Sequence, residues 1–139
     1  MIAPILQRVL LMSALFIFPV IYVAHAALSE ETAIKLANKE IVKWGVTLSD
    51  WESSLDKDRR DWQLTRESWE KWVKTVGKGR AAETNARIAE IENSMNGREV
   101  WSVVYNRKVP PGAKVFHTHA IVFLDAANGD VIAVINPEE

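Results

Sequence analysis

The chain has 139 residues, with 17 Lys and Arg against 18 Asp and Glu, three His, six Trp and no Cys. The near-balanced charge argues against a strongly basic nucleic-acid binder, and the lack of cysteine excludes disulfides, thiolate metal sites and cysteine nucleophiles together. With 48% apolar and 25% charged residues the composition is globular, and the length suits one core.

Residues 1–26 read as an export signal. Arg8 is the one charged side chain before Glu30, and the uncharged run Val9–Val23 follows it. Ala24-His25-Ala26 then places small residues at the two positions a signal peptidase reads. The run is about 15 residues, shorter than the roughly 20 of a spanning helix. That favours cleavage after Ala26, with a retained anchor as the alternative. The mature chain, 27–139, has 113 residues and a net charge of −2, and its only histidines are His117 and His119.

Ser29-Glu30-Glu31-Thr32 opens the first helix, with Ser29 as cap and two glutamates at the positive helix end. Ile34, Ala37, Ile41 and Trp44 recur at helical spacing, which predicts one buried stripe over a helix 29–44. Gly45 ends it in a left-handed conformation. The segment 49–64 stays open between strand and helix. Ser49-Asp50-Trp51-Glu52 resembles a capping box, yet Trp51, Ser53 and Leu55 alternate as a strand would, near 50–56.

Thr65–Val76 reads as a helix, with Trp69, Trp72, Val73 and Val76 on one face and Glu67–Lys71 and Glu70–Lys74 as i,i+4 pairs. Gly77-Lys78-Gly79 breaks it. Ala81–Met95 is the next helix, with Ile88, Ile91 and Met95 as its stripe. The loose Gly-x-Gly-x-x-Ala pattern at Gly77–Ala82 is not preceded by a strand, so it reads as a helix-to-helix turn and not as a dinucleotide site.

The last third reads as strands near 99–109, 113–124 and 131–136. Val100-Trp101-Ser102-Val103-Val104-Tyr105 is β-branched and aromatic. Pro110-Pro111-Gly112 separates it from Lys114–Leu124. Asn128-Gly129 then supplies a tight turn before Val131–Ile135. Short connections make these an antiparallel meander.

The helix Ala33-Ile34-Lys35-Leu36-Ala37 ending at Gly45, the following Val46–Trp51, the strand Trp101–Tyr105, and Ile121-Val122-Phe123-Leu124-Asp125 followed by Asp130-Val131-Ile132 together resemble the PepSY-like group of small exported domains. The likeness does not extend over Leu55–Arg98. It implies a cystatin-like fold, one helix lying across a curved antiparallel sheet. It also implies a non-catalytic role, such as inhibiting or regulating a protease.

Few residues carry chemistry by spacing. On a strand, His117 and His119 would point to one face and could grip one metal ion, but a zinc site needs a third and usually a fourth ligand, and spacing places none. No serine sits in a nucleophile elbow or is tied by spacing to a histidine. Asp56/Asp58 and Glu90/Glu92 read as solvated surface. Of the six Trp, Trp44 and Trp101 are expected in the core. Trp51, Trp62, Trp69 and Trp72 flank the charge-balanced run Asp56–Asp61. They either pack the extra helices onto the open sheet face or stay exposed as binding anchors.

The expected fold is therefore α+β: an N-terminal helix on an antiparallel sheet of three or four strands, with a helical insertion at about 65–96. The expected function is non-enzymatic and cofactor-free. The domain would be exported, periplasmic or secreted, and would bind an envelope protein or peptide through Trp69, Trp72 and Trp62. It would meet the membrane only through its signal. The alternative is a small envelope metal-binding protein or enzyme using His117 and His119.

Overall fold

The computed structural model describes residues 27–115 and 118–136. Residues 1–26, read above as an export signal, and His117 lie outside the described residues. Among the described residues, three α-helices and four strands follow in the order α1 (Glu30–Ile41), β1 (Trp51–Asp56), α2 (Arg60–Val73), α3 (Lys78–Met95), β2 (Val100–Arg107), β3 (His119–Asp125) and β4 (Val131–Ile135). The strands form one antiparallel sheet in sequence order, β1-β2-β3-β4. The α+β class read from the sequence is the class observed.

Both faces of the sheet are covered. On one face Trp101, Val103 and Tyr105 of β2 stand opposite Leu124, Val122 and Ala120 of β3. They pack against Ala33, Ala37 and Ile41 of α1. On the other face Val100, Ile121 and Phe123 meet Trp62 of α2 and Ile88, Ile91 and Met95 of α3. Strands alternate side chains between faces, so β2 and β3, buried on both, read as nearly continuous apolar runs. The helical insertion docks on the sheet, because its apolar stripes would be marginal as lone helices in water.

Several boundaries differ from expectation. Segment 49–64 contains both alternatives: a short 3-10 turn at Leu48–Asp50, the strand β1, and the start of α2 at Arg60. The Asp58 side chain accepts from the Arg60 amide and helps start that helix. β3 begins at His119 and not near Lys114, because β2 ends at Arg107. The Arg107 amide donates to the Thr118 carbonyl in the last rung of that pairing.

Trp44 is not in the core. It is 49% exposed. At Val42 the α-helix tightens into a 3-10 turn, Val42–Trp44, with three residues per turn instead of 3.6. The buried stripe ends at Ile41, and the turn that follows buries none of its three side chains, Trp44 among them. Gly45, at φ 83°, then turns the chain so that Val46 re-enters the core. Trp101 is core as expected, 8% exposed, with the Lys57 ammonium 5.1 Å above its ring.

Candidate functional site

The insertion forms a helical hairpin whose first helix stands between two grooves. Trp62, 4% exposed, sits between Phe123 of β3 and Trp69, meeting each ring edge to face at 6.1 Å. Such aromatic pairs add about 0.5–1.5 kcal/mol beyond area burial. Two turns further along α2, Trp69 is half-buried and lines both grooves. Trp72 is 41% exposed at the mouth of the first. The structure thus divides the three candidate anchors: Trp62 belongs to the core, Trp69 bridges core and groove, and Trp72 faces solvent.

The first groove, about 650 Å³, runs between the C-terminal half of α2 and the start of α3. Trp69 and Trp72 form its apolar wall, and Ser68, Arg80, Glu83, Thr84 and Arg87 supply polar groups around it. Arg87 is held by Glu90 and by the Val134 carbonyl of β4. An apolar wall with convergent polar groups is the usual composition of a ligand or peptide groove. Gly77 and Gly79 lie in the hairpin turn and first turn of α3. The segment preceding them is α2, so the Gly-x-Gly pattern is a helix-to-helix turn.

The second groove, about 610 Å³, lies between α2 and the sheet, where Asp61, Trp69, Asn106 and His119 converge. Below α2 the hydroxyl of Ser102, which is fully buried, donates to Asp61. Burial raises the Asp61 carboxyl above the ordinary carboxylate range, and the neighbouring Asp56 carboxyl raises it further, while the Ser102 hydrogen bond works the other way. His119 is exposed at the start of β3, with its ring Nδ1 engaged by the Asn106 side chain. Ser102 is sealed beneath the helix and His119 is tied to an amide, so these side chains do not form a nucleophile–base relay open to substrate.

Sequence reading did not single out Asp61, Ser102 or Asn106. The available signal was Ser102 itself, a lone hydroxyl within the apolar strand Val100–Tyr105. A buried polar group needs a partner, and Asp61 provides it from 41 residues away. Asp56, read as solvated surface, lies close enough to act on Asp61. Glu90 and Glu92 are surface residues that pair with Arg87 and Arg66. Among the described residues no group of three or more His, Cys, Asp or Glu side chains is gathered to hold a metal, and no helix is long and apolar enough to cross a membrane.

Comparison with family models, with curated proteins and with solved structures finds no match to this chain.

Proposed function

We propose that this protein is a non-enzymatic, exported domain of PepSY-like kind that binds a protein or peptide of the cell envelope, with protease modulation as one form of that role. The groove between α2 and α3 is the binding site. The observation that carries the reading is Trp72, a large aromatic left 41% exposed on the groove wall beside Trp69. Exposed tryptophan is the residue type most enriched among binding hot spots, and here it stands on a helix fixed by a buried aromatic neighbour, which limits the ordering cost of binding. The arrangement of α1 across a four-stranded antiparallel sheet agrees with the resemblance, and the hairpin supplies the groove. The reading assigns no catalytic residue and no cofactor.

A random-peptide display selection against the full chain tests it, with Trp72→Ala as the counter-target. Enriched peptides should lose about thirtyfold in affinity on Trp72→Ala, the equivalent of the 2 kcal/mol hot-spot threshold. Peptides that bind both proteins equally would overturn the assignment of the groove.

A further inference from the structure

Charge is unevenly distributed along the sheet axis although the whole chain is nearly neutral. One end collects the start of β1, the end of β2, the end of α1 and the α2–α3 turn. There the segments 39–50, 71–80 and 107–115 hold nine Lys and Arg against two acids, Glu40 and Asp50. At the opposite end the segments 27–31, 56–61, 96–99 and 125–130 hold four Lys and Arg against eight Asp and Glu. The basic end also bears most of the exposed large apolar side chains, among them Val42, Trp44, Leu48 and Val109. These four come from two neighbouring loops, joined where the Lys108 amide donates to the Asp50 carbonyl and its ammonium to the Ser49 carbonyl.

We propose that the end bearing Trp44 docks on the surface of an anionic phospholipid bilayer. Tryptophan and short apolar side chains among lysines suit the headgroup boundary, where the ring sits between hydrocarbon and water and the ammonium groups meet phosphates. Charge complementarity selects the occupant: the surface is basic, and a negatively charged bilayer attracts each nearby Lys or Arg by about fivefold in partitioning. Leu28, at the beginning of the described chain, packs beside Gly129 at the acidic end. Docking through Trp44 therefore uses the end of the sheet opposite Leu28. It goes beyond membrane contact through the signal alone, and it does not use the wall formed by Trp69.

The test is co-sedimentation of the full chain with vesicles of equal parts phosphatidylglycerol and phosphatidylcholine, and with phosphatidylcholine alone. Wild type should partition onto the anionic vesicles and be released by salt. Trp44→Ser should lower partitioning about tenfold, and Lys39→Gln and Lys114→Gln about fivefold each. These positions are exposed, and thermal melts of the variants should match wild type. Glu31→Gln at the acidic end should leave partitioning unchanged. Equal binding by all variants would assign the membrane contact to the N-terminal segment and overturn the proposal. So would absence of binding, or a lipid-free self-association abolished by Trp44→Ser, which would make a second copy the occupant. Peptide binding at the α2–α3 groove should survive Trp44→Ser, so failure here and failure of the groove reading are distinguishable.

Discussion

The indole of Trp69 stands edge-on to that of Trp62, with 6.1 Å between ring centroids and 88° between planes. Trp62 in turn meets Phe123 of the sheet at the same distance. This stack couples the groove wall to the core. It sets different expectations for three tryptophans within eleven residues of one helix.

Trp62→Ala should cost about 3–5 kcal/mol, as large-to-small changes in a packed core do. Against a total of about 5–15 kcal/mol for a domain of this size, the variant should melt far earlier or fail to fold. Trp72→Ala should change stability by no more than about 0.5 kcal/mol, the usual range for surface positions. Denaturant unfolding of both variants measures the difference. A loss at Trp72 as large as that at Trp62 would place the hairpin's outer face in the core and remove the basis for a binding wall.

Asp61 should make stability depend on pH in a definite direction. Its folded carboxyl is raised above the ordinary range, chiefly by burial, so the folded state holds the proton more tightly than the unfolded chain. The contribution to stability is present at pH below the ordinary Asp range and is lost as pH rises through the raised folded value. Asp61→Asn removes the buried charge and keeps an oxygen to accept from Ser102. It should raise the melting temperature at neutral pH, with the gain shrinking in acid. A gain independent of pH would show that burial of the charge is not its source.

Gly129 closes the β3–β4 turn at φ 79° under the first helix. A Cβ there would lie 2.6 Å from Leu36 Cδ1. Gly129→Ala should destabilise by more than about 1 kcal/mol, since both backbone and packing oppose it. Adding Leu36→Ala should recover the steric part alone, a coupling readable in a double-mutant cycle. Strict additivity of the two changes would mean that the helix does not press on the turn.

The mature protein should begin at Ala27 and be recovered outside the cytoplasm, because Ala24-His25-Ala26 follows an apolar run too short to span comfortably. N-terminal sequencing of the exported protein checks this. Met1 retained in the membrane fraction would overturn it.

Local chemistry was enough to read the α+β class, the first helix, the three strand regions of the last third and the hairpin turn at Asn128-Gly129. Capping by Ser29, the β-branched and aromatic run Val100–Tyr105 and the positive φ at Gly129 each act within a few residues. Trp44 shows where local reading stops. Helical spacing placed it on the buried stripe, but the turn Val42–Trp44 packs mainly on α1 itself and buries none of its side chains, so Trp44 lies outside the core. Segment 49–64 could not be divided by periodicity, because Trp51 and Leu55 earn strand geometry only by pairing with Arg107 and Val103, about fifty residues away. The hydrogen bond between Ser102 and Asp61, the separate fates of Trp62, Trp69 and Trp72, and the gathering of charge at opposite ends of the sheet all depend on which elements pack together. Burial and long-range pairing are properties of the assembled layers, so only the tertiary structure decides them.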